Sequence, residues 1–212
     1  MNQKVPATIT TVVFDLGGVL FDIDYSLTQK AFIALGAKNF DKEYSQQVQS
    51  GVFDEFEKGL VTPAHFRNEV LKWLPQGTTD EQVDNAWNAL LIGFPKEKVA
   101  LLKELKNRYK LLLLSNTNEI HLPAVIKMMD SSLEPGIMGK LFEKEYYSCK
   151  MQMRKPDTEI FEHVLTENAL NPANTLFIDD SIQNVKGAGL TGIQTLHCTK
   201  TTDLFDYFSP AS

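Results

Sequence analysis

Cysteine is scarce in this 212-residue chain, with only Cys149 and Cys198 present. Neither stands in a CxxC pair or beside a histidine at ligand spacing, so no disulfide framework and no zinc centre is indicated, and two buried thiols are expected. Long apolar runs are also missing. The run Leu111–Leu114 is far below the roughly 20 residues a membrane-spanning helix needs, and the opening MNQKVPATITT has no apolar leader region. Basic excess is absent as well: 21 Lys and Arg stand against 27 Asp and Glu, a net charge of −6. That balance, with a pI of about 5.3, disfavours nucleic acid and anionic membranes as partners. There is no internal repeat and no low-complexity tract. These absences predict a soluble, cytoplasmic protein, monomeric or weakly homo-oligomeric.

Apolar residues are plentiful, at 43 %, which is enough for a substantial core. Four short apolar runs have strand length: Thr11–Phe14, Leu111–Leu114, Thr175–Ile178 and Ile193–Leu196. The first three show no polar alternation, as expected of parallel strands covered on both faces. Helical periodicity lies between them, at Val99, Leu102 and Leu105, and at Ile160, Phe161, Val164 and Leu165 after Pro156-Asp157. Strands alternating with helices predict an α/β fold, a doubly wound parallel sheet.

From about Tyr25 to Phe94 that rhythm stops. No strand-like run is visible, and four helical patterns follow one another. One face is Leu27, Ala31, Ala34 and Leu35; a second is Phe53, Phe56 and Leu60. Thr62-Pro63 starts a third helix carrying Phe66, Val70, Leu71 and Leu74. Thr79 with Gln82 three residues on is a capping-box signature for a fourth, carrying Val83, Ala86, Trp87, Leu90 and Leu91. The expected organisation is a core of residues 1–24 and 95–212, interrupted by a helical insertion, 25–94. Trp73, Trp87, Phe53 and Phe56 read as the interior of that insertion, and one or two of them are candidates to roof a pocket.

In open α/β sheets ligands bind beyond the carboxyl ends of the strands. Asp15 follows the first run. Ser115, Asn116, Thr117 and Asn118 follow the second. Asp179 and Asp180 follow the third, with Ser181 and Asn184 close behind, and Lys155 precedes a helix. Three converging carboxylates repel one another, and a divalent cation relieves the repulsion. Mg²⁺ is the expected cofactor, because it takes oxygen ligands from one or two carboxylates together with a substrate phosphate. Ser115 and Asn116 can donate to phosphate oxygens, Lys155 supplies a point charge, and the loop Leu16-Gly17-Gly18 can present backbone N–H groups. An aspartate so placed can attack phosphorus and form an aspartyl-phosphate.

These motifs together resemble the haloacid dehalogenase (HAD) superfamily, specifically its phosphatases. FDLGGVLFDID resembles the first motif, LLLLSNTN the second, MRKPD the third and FIDDSIQNVKGA the fourth, in order and over nearly the whole chain. The resemblance implies Asp15 as nucleophile, Ser115 as a phosphate ligand, and Lys155 steadying the nucleophile and the phosphoryl group. It implies Asp15, the Gly17 carbonyl and Asp180 as metal ligands, with Asp179 and Asn184 in support. It implies a HAD-like Rossmannoid core with an inserted α-helical cap. DLGGVLFDID, LSNTN and MRKP are further similar to the bacterial branch that includes α-glucose-1-phosphate phosphatase. The implied function is Mg²⁺-dependent hydrolysis of a small phosphorylated metabolite, such as a sugar 1-phosphate.

One position departs from the superfamily pattern. Most of its phosphatases read DxD in the first motif, where the second Asp moves protons. Here Gly17 stands instead, and general acid–base help is worth about 10²–10⁴-fold. A readily leaving anomeric oxygen would need less help. Asp22 and Asp24 are nearby substitutes, although turn and helix-capping roles fit them better. His65, His121, His163 and His197 are scattered and receive no catalytic role, and Lys103, Glu104 and Lys106 read as a solvated helix face. Three alternatives stay open on sequence alone: a 2-haloacid dehalogenase, a non-catalytic sugar-phosphate-binding protein, and a phospho-accepting signalling domain.

Overall fold

The computed structural model describes residues 4–37 and 51–209; residues 1–3, 38–50 and 210–212 of the expected core and insertion lie outside the described residues. Its centre is a five-stranded sheet made of β1 (Thr11–Phe14), β4 (Lys110–Ser115), β5 (Lys144–Tyr147), β6 (Thr175–Asp179) and β7 (Gln194–His197). The order is β5-β4-β1-β6-β7, and every neighbouring pair is parallel. Val13 pairs with both Leu112 and Phe177, so β1 lies between its two most apolar neighbours. Period-two alternation sends the side chains to opposite faces. Val12, Phe14, Leu111, Leu113, Leu176 and Ile178 enter one core with Leu102, Leu105, Val125 and Met129. Val13, Leu112, Leu114 and Phe177 enter the other with Ile160, Phe161, Val164 and Ala188. Both faces are thereby covered by helices, the doubly wound α/β arrangement.

The other helices of this part are α5 (Lys96–Leu105), α6 (His121–Ser132), α7 (Ile137–Leu141), α8 (Ser148–Met151), α9 (Thr158–Glu167), α10 (Ile182–Leu190) and α11 (Thr201–Phe208). Strand β5 was not expected. Its sequence KEYY has a single buried residue, Tyr146, because it is an edge strand that exposes polar side chains.

The segment after β1 contains α1 (Tyr25–Ala34), α2 (Val52–Glu57), α3 (Pro63–Leu71) and α4 (Asp80–Asn88). Thr62 caps α3 by accepting from the His65 N–H, and Thr79 and Gln82 form both halves of the capping box on α4. These helices build a third apolar cluster, dominated by rings. Phe66 stacks on Phe56 at 4.3 Å and tilts against Trp87 at 4.9 Å, and Phe53 stacks on Trp87 at 5.5 Å.

Three local expectations need correction. The residues α1 buries are Thr28 and Phe32, whereas Ala34 is exposed. The Thr28 hydroxyl donates to the Trp87 carbonyl and accepts from the Leu90 N–H, which rotates that face inward. Leu60 is 56 % exposed because α2 ends at Glu57 and the chain turns at Gly59. The segment also contains a strand, β3 (Leu91–Gly93), which pairs antiparallel with β2 (Asp22–Ile23) and draws the two ends of the helical segment together. Lys98, fully buried on α5, reaches Asp22 at 2.8 Å and ties this ribbon to the sheet. Both cysteines are buried free thiols. No helix among the described residues is long and apolar enough to cross a membrane.

Candidate active site

A cavity of about 340 Å³ opens at the carboxyl edge of the sheet, lined both by strand ends and by the helical segment. Adjacent strands β4, β1 and β6 deliver Ser115, Asp15 and Asp180 to it, and Asp179, which precedes Asp180, is fully buried. One carboxylate oxygen from each of Asp15, Asp179 and Asp180 lies within 4.8 Å of the others.

Lys155 organises this cluster from beneath. It is 1 % exposed, and its Nζ donates to Asp15 Oδ1 at 2.6 Å, Asp179 Oδ2 at 2.8 Å and the Leu114 carbonyl at 2.9 Å. All three ammonium donors are therefore used. Asp179 is fully occupied too. Its Oδ1 accepts from the Ser181 N–H at 2.8 Å, and the Asn184 amide approaches both of its oxygens at 3.0 Å.

Three carboxylates face a single ammonium, so ionising all three would leave two negative charges uncompensated in a largely buried place. Burial pushes the Asp15 carboxyl up to about 8; Lys155 opposes that shift, and Asp179 and Asp180 reinforce it. Asp180 is pushed up to about 6, first by burial and then by Asp179. Burial works against the Lys155 ammonium, but Asp15 and Asp179 more than offset it and hold its pKa above the ordinary lysine value. Surplus oxygen donors with raised pKa values form a set that suits a hard divalent cation.

The glycines of the first motif divide their work. Gly18 has φ +80, and a Cβ there would collide with the Asp180 carboxylate. Its N–H donates to the Phe21 carbonyl at 2.9 Å, so Gly18 does not offer that group to a phosphate, contrary to expectation; what it provides is room for Asp180. Gly17 lines the cavity, and a Cβ there would meet Ile23 Cδ1 at 3.1 Å. The direction in which a second acid would extend is thus taken by an apolar side chain.

Asn116 also has a task the sequence did not reveal. Its amide donates to the Lys155 carbonyl at 2.9 Å, and its Oδ1 accepts from the Lys155 N–H at 3.0 Å. It clamps the backbone that carries the lysine while the residue also lines the cavity. Ser115 is 3 % exposed at the cavity floor.

Asp22 and Asp24 stand apart. Asp22 pairs with Lys98, and Asp24 caps α1 by accepting from the Ser26 N–H at 2.8 Å. Glu57 and Arg154, which sequence reasoning passed over, line the cavity, as does His121, which received no catalytic role; of Trp73, Trp87, Phe53 and Phe56, Trp87 lines it. Arg154 bridges to α2, reaching Asp54 at 2.5 Å and Glu57 at 2.9 Å. The sequence signal for Arg154 was its place next to Lys155. For His121 it was the end of the continuous stretch SNTNEIH.

The chain is similar to known proteins over most of its length. Residues 9–190 match the family model of haloacid dehalogenase-like hydrolases. A D-ribitol-5-phosphate phosphatase of Bacteroides thetaiotaomicron is 31 % identical over 190 residues, covering 88 % of this chain and 90 % of that protein. An aspartate-to-alanine mutant of a HAD-family enzyme from the same organism, solved with magnesium and inorganic phosphate, superposes with a TM-score of 0.85. It is 37 % identical and covers 89 % of this chain and 93 % of its own. A predicted HAD-like hydrolase of Porphyromonas gingivalis is 31 % identical, covering 90 % of this chain and 91 % of its own, with a TM-score of 0.81.

Proposed function

From the premise that the chain belongs to the haloacid dehalogenase-like hydrolases, we propose that it is a Mg²⁺-dependent phosphatase of a small polyhydroxylated phosphomonoester, such as a sugar 1-phosphate. The observation that carries this reading is the Lys155 ammonium, held between Asp15 and Asp179 under three clustered carboxylates. A structural ion pair would need one acid, not three. The relative that acts on D-ribitol 5-phosphate and the neighbour solved with magnesium and phosphate support the same direction.

In this reading Asp15 is the nucleophile. Its Oδ1 is held by Lys155, which leaves Oδ2 to attack phosphorus. The bond between phosphorus and the substrate's alcohol oxygen breaks as the aspartyl-phosphate forms, the departing oxygen takes a proton from solvent, and water then attacks the acyl phosphate, releasing inorganic phosphate and regenerating Asp15. Ser115 and Asn116 donate to the phosphoryl oxygens. Asp179 keeps Lys155 in register, and Asn184 keeps Asp179 in register. Asp15, the Gly17 carbonyl and Asp180 are the groups that would hold the cation. When bound, Mg²⁺ supplies charge that lets a phosphate dianion enter an anionic pocket. The described residues of the helical segment, 25–37 and 51–94, act as a cap over the leaving group, and Arg154 with Glu57 and Asp54 fastens α2 to the core.

Phosphate release from a panel of sugar, polyol and alkyl phosphates tests the proposal, with Mg²⁺ and with EDTA. Release that requires Mg²⁺ and vanishes in Asp15→Asn is expected. No release from any member under Mg²⁺ refutes the reading, and chelator-insensitive halide release from a 2-haloacid would replace it with a dehalogenase.

A further inference from the structure

His121 opens α6 at the seam between the core and the helical segment, and two residues of α4 set its ring. Trp87 stacks on it with centroids 4.9 Å apart and planes 10° apart. Asn88 Oδ1 lies 2.8 Å from Nδ1. A carboxamide oxygen only accepts, so Nδ1 carries the hydrogen and Nε2 is a bare acceptor. On the core side the His121 N–H donates to Asn118 Oδ1 at 2.9 Å. The same Oδ1 accepts from Trp87 Nε1 at 3.4 Å, so one side chain holds the Trp87 ring and the backbone that carries His121. Nε2 has no hydrogen-bond partner among the described residues and is not one of their sealed, unpaired polar atoms, although the residue lines the cavity. Burial lowers the ring's pKa to about 3, which keeps Nε2 free of a proton at neutral pH.

We infer that His121 is a specificity-determining residue whose Nε2 accepts a hydrogen bond from a hydroxyl of the substrate's carbon chain, selecting polyol or sugar phosphates over alkyl phosphates. This inference rests on the phosphatase reading above and adds the group that recognises the leaving alcohol. Two physical arguments favour a hydroxyl donor. A neutral acceptor with its tautomer fixed discriminates strongly, because an analogue lacking the hydroxyl leaves a desolvated lone pair unpaired. A ring held neutral cannot donate a proton to a departing alkoxide, so His121 does not stand in for the acid missing at Gly17. Because Trp87 and Asn88 belong to α4, the acceptor is aimed only when the helical segment is docked.

The test compares ribitol 5-phosphate with pentyl phosphate, which have equal carbon count and similar leaving groups. His121→Phe keeps an aromatic surface for Trp87 and removes the acceptor. Its kcat/KM should fall at least tenfold further on ribitol 5-phosphate than on pentyl phosphate, mostly through KM, and His121→Gln should recover part of the difference. Asn88→Ala, which frees the ring without removing it, should give a smaller loss of the same selectivity. Equal losses on both substrates, or a loss confined to kcat, overturn the inference. A binding arm decides it without turnover: in an Asp15→Asn background, calorimetric affinity for ribitol 5-phosphate should weaken at least tenfold further than affinity for inorganic phosphate when His121→Phe is added. Equal weakening refutes it. Failure of the wild type to release phosphate would sink the phosphatase reading, while the binding arm would still decide the role of His121.

Discussion

Gly17 and Gly18 are neighbours with opposite tolerances, and replacing each by alanine separates two functions of one turn. At Gly18 the backbone has φ +80, where an L-residue costs about 1–2 kcal/mol. The new Cβ would also occupy the place of the Asp180 carboxylate, which must swing away. Disturbing even the outer contacts of a metal ligand costs about 10–100-fold in affinity, and a displaced ligand should cost no less. At Gly17 no positive φ is required and the only obstacle is Ile23 Cδ1 at 3.1 Å, the movable end of a side chain. There the loss of unfolded-state freedom favours alanine by about 0.4–1 kcal/mol and offsets the crowding. The expected result is a stability gap of about 2 kcal/mol between the two variants in cation-free urea denaturation. In Mg²⁺ titrations of phosphate release, Gly18→Ala should shift the midpoint upward at least tenfold, while Gly17→Ala, which retains its carbonyl, should stay nearer to wild type. A Gly18→Ala protein as stable as Gly17→Ala, with an unshifted Mg²⁺ midpoint, would refute the division of labour.

Three further outcomes are expected. Asp24→Asn should change urea stability by less than about 0.5 kcal/mol, since asparagine caps equally well, whereas Asp22→Asn should lose about 1–3 kcal/mol because it leaves buried Lys98 without its anion, a cost moderated by the partial exposure of Asp22; both should keep turnover per folded molecule, so a turnover loss at Asp24 would contradict its capping role. The native His121 ring stays neutral down to about pH 3, whereas the unfolded ring takes a proton near 6.5. Between those values the unfolded chain binds the extra proton, so stability falls with falling pH by up to about 1.4 kcal/mol per unit. His121→Phe should flatten that acid arm in urea titrations at pH 7, 5.5 and 4.5, and parallel losses would count against a neutral ring. Arg154→Met should leave Glu57, only 12 % exposed, without its guanidinium, costing about 1–3 kcal/mol and raising KM for sugar phosphates; an unchanged KM would detach the bridge from substrate binding.

The elements most legible in the sequence are those buried on both sides. Strands β1, β4 and β6 are continuous apolar runs because helices cover both faces, and the acids at their ends stand out by contrast. Strand β5 escaped notice because an edge strand carries polar residues. The β2–β3 ribbon escaped because two or three residues are too few for any period to show. The roles of Asn116 and Gly18 required coordinates, since side-chain direction and backbone sign are not written in residue type. His121 was hidden for a different reason. Its environment comes from Trp87 and Asn88, over thirty positions earlier in the chain, and no local spacing reports such a contact.

The β2–β3 ribbon has a consequence for how the chain can assemble and diverge. Thr11 must find Lys110 across the whole helical excursion before the sheet exists. The entropy of closing a flexible loop grows only with the logarithm of its length, about 0.6 kcal/mol for each doubling. Once Asp22 meets Gly93 and Ile23 meets Leu91, the excursion is a closed side loop, and the sheet experiences only the short connections that remain. Helices can therefore be lengthened, shortened or exchanged beyond that stem at a cost of a fraction of a kcal/mol in chain closure. The strand ends that carry the acids need not move when they are.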